Sequence, residues 1–354
     1  MNPAPEPLAE PVMRRQVPPE PEPVSGIVPA PSLRHLLSLC DEVGLAEHAR
    51  LDRPRPEGGY CTDDAGRALA LASRLPQDPD AQSLAELMIN FLETAYLGDS
   101  TFHLRLRPSG EWTADPPSDD AVGRAILGLG VATSHAPWQE VNERARALFD
   151  AVAAFRSPWP RAMAYAALGA VEVLAAHPGH RGARRLVLDA SSTLPAPEAQ
   201  SAWRWPESRL AYANALLPEA LLAISASLER TDLAARALHL LGWLVESETW
   251  QGRFSFTPVG GRGPGDPRPA FDQQPIEAWA MADACARAWT STGDDAWAAA
   301  VQLAGSWFVG NNDSGVAMFD PLTGGGFDGL TASGPNRNQG AESSLAFAAT
   351  MLQV

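Results

Sequence analysis

Apolar residues recur along the chain with the period of a helix, in stretches separated by short polar clusters. In the first stretch, residues 32–49, the side chains of Leu33, Leu36, Leu37 and Cys40 fall on one helical face. The same pattern predicts twelve helices, at residues 32–49, 63–75, 81–96, 119–131, 138–155, 158–176, 181–191, 207–228, 232–248, 275–290, 294–309 and 339–352. Residues 101–112 are predicted to be extended, so the chain is mostly helical.

Six of these helices follow directly after a polar cluster. The clusters occupy residues 60–64, 118–120, 156–158, 203–207, 271–274 and 336–342. They recur about every 40 to 65 residues, which is typical of an array of repeated supersecondary units. Each unit is predicted to be a helical hairpin.

The predicted helices alternate between two compositions. Those that follow a cluster are rich in Ala, Gly and Leu, as in residues 164–170 (AYAALGA), and helices apolar on most faces are buried. The others are more amphipathic, as in residues 140–146 (EVNERAR). This alternation predicts an all-α fold, an (α/α)6 toroid of six inner and six outer helices spanning residues 32–354 as one domain. A closed ring places all six clusters on one rim, together with the long loops at residues 251–269 and 311–336.

The segment before the ring has a different character. Residues 1–31 are rich in Pro and Glu and contain no apolar core of a secretory signal, which predicts a disordered tail. The chain has no apolar run of the ~18 residues that a membrane span requires. Three cysteines give no disulfide framework and fit a reducing compartment. We therefore expect a cytoplasmic protein without a membrane partner.

The net charge and the aromatic content of the chain limit the classes of ligand that it is expected to bind. The net charge of −15 disfavours nucleic acid, whose phosphates require a basic surface. The chain contains 11 Trp and only 4 Tyr, and two of the Trp flank Arg204 within a polar cluster. Aromatic faces in a polar cleft suit the C–H faces of sugar rings, although core packing is the commoner use of any single Trp.

Several other kinds of site are disfavoured, because the sequence does not show the residues that they require. The seven His lie outside the clusters, which disfavours zinc, and neither a nucleophile elbow nor a phosphate loop is present. Asp313 and Asp320, near Asn311 and Asn312, leave a calcium loop open, although turn formation explains them equally well. No cofactor and no metal ion are predicted.

Glycoside chemistry fits the clusters best, because it requires two carboxyl groups and little else from the protein. The candidate catalytic residues are Asp63, Asp64, Asp120, Glu207, Asp272 and Glu342. Glu207 is the preferred general acid, since Trp203 and Trp205 provide an apolar setting that would raise its pKa. Asp64 or Asp272 would be the general base. The candidate substrate-binding residues are Tyr60, Arg67, Arg124, Trp203, Trp205, Gln273, Gln274, Asp328, Asn338 and Gln339.

The clusters together resemble a known family. Residues 59–69 (GYCTDDAGRAL) are similar to its GYCTDDNARAL signature, and residues 271–275 (FDQQP), 326–330 (GFDGL) and 338–345 (NQGAESSL) resemble further motifs. The family comprises bacterial six-hairpin proteins, found alone or fused behind glycosyltransferase domains. The resemblance implies a toroid linked to carbohydrate metabolism and does not imply a particular reaction.

This chain departs from the family at two places. It has Ala65-Gly66 where the family tends to have Asn-Ala, and Glu207-Ser208 where the family tends to have Glu-Asp. If that missing Asp were catalytic, this member would be impaired. The chain also lacks the alternating strands and helices of a nucleotide-sugar site, so the toroid alone does not inherit a transferase activity.

The leading hypothesis is an inverting glycoside hydrolase that acts on an oligosaccharide. The alternative is a non-catalytic glycan-binding or scaffold toroid that partners a glycosyltransferase. A toroid that acts on an isoprenoid or a peptide is a third hypothesis, disfavoured by the polar clusters. The sugar, its linkage and the oligomeric state stay open.

Overall fold

The computed structural model describes residues 29–195 and 202–354. The predicted tail at residues 1–31 lies almost entirely outside these ranges. The helices within them are α1 (Arg34–Ser38), α2 (Thr62–Arg74), α3 (Ala81–Ala95), α4 (Asp119–His135), α5 (Gln139–Val152), α6 (Pro160–Ala176), α7 (Arg181–Thr193), α8 (Leu216–Leu228), α9 (Thr231–Glu248), α10 (Pro275–Thr292), α11 (Asp295–Phe308) and α12 (Ala341–Gln353). Within the described part of the chain, no helix has both the length and the apolar character needed to cross a membrane.

The even-numbered helices form a closed inner ring. Each of α2, α4, α6, α8, α10 and α12 contacts the next, and α12 returns to contact α2. The helices α3, α5, α7, α9 and α11 pack outside the inner helix that precedes them, and α1 packs against α12. The predicted (α/α)6 toroid is confirmed.

Burial explains the two compositions seen in the sequence. In α4, every residue from Ala121 to Thr133 is buried, because both neighbouring inner helices and the outer layer cover it. The outer helix α5 buries a single stripe, formed by Val141, Ala145, Leu148, Phe149 and Val152. Inner helices therefore need apolar residues on all faces, and outer helices need them on one.

Glycines allow three inner helices to approach closely. A Cβ at Gly66 of α2 would lie 2.5 Å from the carbonyl oxygen of Arg124 on α4. A Cβ at Gly130 of α4 would lie 2.1 Å from the carbonyl oxygen of Gly169 on α6. Packing thus accounts for the glycine at position 66, because an alanine does not fit against α4 at this distance.

Short two-stranded antiparallel sheets lie on the rim of the ring. They pair β1 (Ala49–Arg50) with β2 (Arg53–Pro54), β3 (Tyr60–Cys61) with β6 (Arg105–Leu106), β4 (Tyr96–Gly98) with β5 (Thr101–Phe102), β7 (Thr249–Trp250) with β8 (Arg253–Phe254), and β9 (Gly329–Thr331) with β10 (Gly334–Asn336). The predicted extended segment at residues 101–112 supplies β5 and β6.

The first predicted helix, at residues 32–49, is far shorter in the structure and ends at Ser38. Beyond it, the Asp41 carboxylate accepts hydrogen bonds from the backbone N–H groups of Val43 (2.8 Å) and Gly44 (3.2 Å) and closes a turn. A backbone bridge between Cys40 and Leu45 then starts an extended path. The apolar spacing was real, but the turn chemistry of Asp41 and Gly44 outweighs it.

The predicted helix at residues 207–228 also begins late, at Leu216. The backbone N–H groups of Ala213 and Asn214 donate to the Glu277 carboxylate on α10, at 2.5 and 3.2 Å. Leu210 pairs with Arg262 in an isolated bridge. Residues 202–215 are consequently held on the rim as a loop.

Candidate functional site

The inner helices present their N-terminal ends to one end of the ring, and a cavity of about 570 Å³ opens there. Helices α2, α4 and α12 and five loops supply its walls. The polar and ionisable side chains that line it are Glu47, His48, Cys61, Asp63, Asp64, Arg67, Arg105, Ser118, Asp120, Arg124, Tyr212, Gln274, Asp328, Glu342 and Ser343. Helix N-termini favour carboxylates, because their free N–H groups carry partial positive charge.

Arg67 joins two carboxylates at the centre of this cavity. One terminal nitrogen lies 2.7 Å from Asp64 and the other lies 2.7 Å from Glu342 on α12. Asp64 is only 3 % exposed, whereas 40 % of the Glu342 side chain is exposed to the cleft. Burial raises the pKa of Asp64 to about 7, since the opposing effect of Arg67 is partly cancelled by the nearby Glu342.

A second ion pair lies beside the first. Arg124 on α4 contacts Asp63 at 2.6 Å, and the Cys61 thiol donates to the same carboxylate at 3.1 Å. Burial by itself would raise the pKa of Asp63, but Arg124 and Arg67 together outweigh it, and the pKa is lowered. Asp63 is therefore held as a carboxylate.

Asp120 differs from the other carboxylates of the cleft. It is half-buried at the start of α4 and accepts no hydrogen bond from the described residues. Burial raises its pKa, although Arg124 opposes the effect. Asp120 is thus a carboxyl group on the cavity wall that has no hydrogen-bonded partner among residues 29–195 and 202–354.

A second cavity of about 480 Å³ adjoins the first. Ser118, Asp120 and Tyr212 line both cavities. The remaining wall of the second cavity is formed by Pro117, Asp119, Trp159, Pro160, Arg161 and Glu207. The Tyr212 ring lies 5.7 Å from the guanidinium of Arg124 and 5.2 Å from that of Arg161, so it separates the two cavities.

Glu207 lies in this second cavity, but its environment is the opposite of the predicted one. Burial would raise its pKa, yet Arg161 binds both carboxylate oxygens, at 2.8 and 2.9 Å, and the pKa is lowered. The indole N–H of Trp205 donates to the same carboxylate at 3.1 Å. The prediction that the two Trp raise the Glu207 pKa is wrong, because Arg161 lowers it and the indole of Trp205 adds a further hydrogen-bond donor.

The two Trp of that cluster are structural. Trp205 is buried and stacks on Trp243 with ring centroids 6.2 Å apart. Trp203 packs edge-on against Trp243 at 5.1 Å and donates to the Glu207 backbone carbonyl at 2.8 Å. Neither lines a cavity of the cleft, so the sugar-stacking role predicted for them is not supported by their positions.

Asp272, predicted as a possible general base, is exposed and lies outside both cavities. Its neighbour Gln273 is fully buried, where it donates to Asp313 at 2.7 Å and accepts from the indole of Trp307 at 3.3 Å. In contrast, Gln274 lines the first cavity.

The remaining candidate substrate-binding residues also differ in position, since some are held away from the cavity and one lines its wall. Gln339 is buried and accepts from the Thr323 hydroxyl at 2.6 Å, and Asn338 accepts from the Leu51 backbone at 3.0 Å. Asp328 does line the cavity and accepts from the Gly340 backbone N–H at 2.8 Å. Tyr60, also predicted to bind substrate, is buried and donates its hydroxyl to Asp41.

Sequence reasoning missed one wall of the cavity. Arg105 on β6 contacts Glu47 at 2.7 Å, next to His48. Burial raises the pKa of Glu47, and Arg105 opposes the shift. Glu47 lay within a predicted helix and Arg105 in an extended segment, and neither belonged to a polar cluster. Tyr212 was missed for the same reason.

The opposite end of the ring carries its own polar group. A cavity of about 540 Å³ there is lined by Arg74, Glu172, Glu219 and Arg287, among others. Arg74 pairs with Glu172, and Arg287 pairs with Glu219, both at 3.4 Å. Within the described ranges, no group of three or more His, Cys, Asp and Glu side chains is arranged to hold a metal ion.

No protein-family model and no curated protein matches the chain. Solved structures do match it over most of its length. Cellobiose 2-epimerase from Bacillus thermoamylovorans has a TM-score of 0.68 at 12 % identity, covering 91 % of this chain and 96 % of that one. The cellulase Cel9M of C. cellulolyticium, in complex with cellobiose, has a TM-score of 0.61 at 7 % identity, covering 88 % and 86 %.

A GH76 α-mannanase from Bacteroides thetaiotaomicron has a TM-score of 0.55 at 10 % identity, covering 82 % of this chain and 85 % of that one. At these identities the similarity establishes the fold alone. The chain therefore shares the (α/α)6 toroid with epimerases and glycosidases that act on carbohydrates.

Proposed function

We infer that this protein is a carbohydrate-processing enzyme that hydrolyses a glycosidic bond with inversion, using Asp120 as general acid and Glu342 as general base. One observation carries the proposal. Two carboxyl groups line one cavity, on the helices α4 and α12 that flank α2 on either side. Glu342 is paired with Arg67, whereas Asp120 has no hydrogen bond from the described residues. Such a pair of carboxyl groups is what glycoside hydrolysis requires.

The acid must hold a proton at the working pH and must reach the leaving oxygen. Asp120 suits this role, because burial shifts its pKa upward, towards the protonated form, and no hydrogen bond from the described residues holds its carboxyl group. The pKa of Asp64 is raised to about 7, but Asp64 is almost fully buried against Arg67. Asp64 is accordingly a positioning residue, which orients Arg67.

The base must be a carboxylate within reach of water. Glu342 contacts Arg67 at 2.7 Å, and much of its side chain is open to the cleft. In the reaction, Asp120 gives its proton to the glycosidic oxygen as the C–O bond breaks. Glu342 takes a proton from the water whose oxygen bonds to the anomeric carbon. Gln274, Asp328 and Arg124 remain to bind sugar hydroxyls.

The test uses the substrates named for the similar structures as probes. Asp120→Asn and Glu342→Gln are each expected to lower hydrolysis of cellobiose or of α-mannan about 10²- to 10⁴-fold. Asp115→Asn, an exposed carboxylate outside both cavities, is the matched control and should keep full turnover. Product anomers followed by NMR should show inversion. Near wild-type hydrolysis by either site variant removes that residue from its role.

A second candidate is epimerisation or isomerisation of a reducing sugar. The match to a cellobiose 2-epimerase favours it, and in this alternative Asp64, which lines the first cavity with a pKa of about 7, would take up and return the proton at neutral pH. Cellobiose incubated in D2O distinguishes the two reactions. Deuterium at C2 without cleavage supports the epimerase, and cleavage without exchange supports the hydrolase. Saturable binding with neither reaction supports the glycan-binding or scaffold toroid that partners a glycosyltransferase.

A further inference from the structure

The two adjoining cavities have different chemistry. The first carries the ion pairs of Arg67 and Arg124. The second also carries an ion pair, between Arg161 and Glu207, and differs by the apolar surfaces of Trp159 and Pro160, with Tyr212 between the two cavities. Each volume lies within the range of small-ligand sites. Charged and amide groups bind hydroxyls, and aromatic faces bind the C–H faces of a sugar.

Trp159 is unusual among the aromatic residues of the cleft because 64 % of it is exposed. Its backbone is nevertheless fixed. The Trp159 N–H donates to the Ser157 hydroxyl at 3.0 Å, and that hydroxyl donates to Asp119 at 2.7 Å. Pro158 and Pro160 restrict the chain on both sides. The indole is therefore presented to the second cavity from a rigid support.

We propose that the two cavities are consecutive sugar subsites, and that Trp159 stacks on the leaving sugar of a glycan of at least two rings. The inference rests on the proposed function. Asp120 lies on the shared wall, where the bond between the two sugars would pass. Glu342 lines the first cavity and is absent from the lining of the second.

The placement of Glu342 fixes the direction of the glycan. Water activated by Glu342 attacks the anomeric carbon of the sugar in the first cavity. The bond from that carbon to the linking oxygen breaks, and the oxygen takes its proton from Asp120. The sugar that departs with this oxygen occupies the second cavity, over Trp159.

The experiment compares monosaccharide with disaccharide binding in full-length protein that carries Asp120→Asn, which is expected to slow turnover enough for binding to be measured. Titration calorimetry is run with glucose, cellobiose, mannose and α-1,6-mannobiose. The disaccharide of at least one pair is expected to bind about 10- to 100-fold more tightly than its monosaccharide. Adding Trp159→Ala should remove this gain, whereas adding Trp289→Ala should keep it. Trp289 is an exposed Trp that lines neither of the two cavities of the cleft.

Catalysis gives the second readout. With Asp120 restored, Trp159→Ala should lower kcat/KM for the disaccharide about 10- to 100-fold and leave turnover of the corresponding glycosyl fluoride unchanged, because fluoride leaves the second cavity empty. A binding gain that persists in Trp159→Ala, or is missing from the parent, overturns the two-subsite inference. An intact, Trp159-dependent gain in a protein that cleaves no glycan supports the subsites and overturns the hydrolase.

Discussion

Arg161 donates hydrogen bonds to both carboxylate oxygens of Glu207, and its Nε–H donates to the backbone carbonyl of Tyr212 at 2.7 Å. One guanidinium thus ties α6 to two separate parts of the loop that precedes α8. The carboxylate predicted to be the general acid instead shapes the wall that carries Tyr212.

Glu207→Gln should therefore affect stability first. The side chain of Arg161 is nearly buried, so a lost charge partner is expected to cost about 1–2 kcal/mol in the free energy of unfolding at pH 7. The pKa of Glu207 is lowered by folding, so its contribution is present above the unfolded pKa and is lost as pH falls through the folded pKa.

Urea unfolding of wild type and Glu207→Gln, measured from pH 3 to pH 8, checks this. The gap between the two proteins should be widest near neutral pH and should close in acid. A gap that widens in acid contradicts the assignment of Glu207 as a stabilising carboxylate.

Gly66→Ala should be destabilising although alanine favours helices. The added methyl group would lie 2.5 Å from the Arg124 carbonyl oxygen, so α2 and α4 must separate, at a cost of about 1–3 kcal/mol. Gly242→Ala in the outer helix α9 is the matched control, since its Cβ would have open space up to 3.9 Å. The control should gain about 0.5–1 kcal/mol. Thermal unfolding of both variants is the measurement, and equal gains would refute the close-packing argument.

Asp64→Asn should change how stability depends on pH. The wild-type carboxyl has a folded pKa of about 7 against an ordinary value of 3.8 for an exposed Asp, so folded protein holds a proton that the unfolded chain releases. Wild-type stability is highest below the unfolded pKa and falls as pH rises through 7. Asparagine does not titrate, so Asp64→Asn should gain roughly 2–4 kcal/mol relative to wild type between pH 4 and pH 8.

Denaturant unfolding at these two pH values measures the shift, with Asp115→Asn as the control that should run parallel to wild type. If Asp64→Asn loses ground relative to wild type as pH rises, Asp64 is an ionised partner of Arg67 at neutral pH.

Glu248→Gln tests what holds the long rim loop at residues 251–269. Glu248 is buried and accepts from the Thr257 hydroxyl (2.6 Å), the Thr257 backbone (2.8 Å) and Arg262 (2.9 Å). Its neutralisation leaves Arg262 buried without its charge partner, at a cost of about 3–5 kcal/mol. Asp232→Asn, in the exposed pair with Arg230, should have a far smaller effect, because solvent screens that pair. Chemical denaturation compares the two, and similar losses would contradict the buried-pair argument.

The sequence predicted the ring well, because its signals are local. An apolar helix such as α4, and the polar residues that precede it, can be recognised from residues that are close together in the sequence. Asp63, Asp64 and Arg67 were found because they share the first turns of one helix, where spacing alone puts them together.

Other site features depend on contacts between distant segments. The sequence places the Glu207 carboxyl group beside two Trp whether its pKa is raised or lowered. The direction of the shift depends on Arg161, which is distant in the sequence. Gln273 and Gln339 resemble sugar ligands by type, yet their hydrogen-bond partners bury them. The pairing of Glu47 with Arg105 depends on a rim ribbon that leaves no periodic pattern in the sequence.

The contact between α2 and α12 has a consequence for synthesis of the chain. Arg67 is made early and Glu342 late, so a nascent chain that has already folded α2 to α10 still lacks the carboxylate proposed to activate water. Under the proposed mechanism, the cleft is therefore inert until α12 docks against α2 and closes the ring.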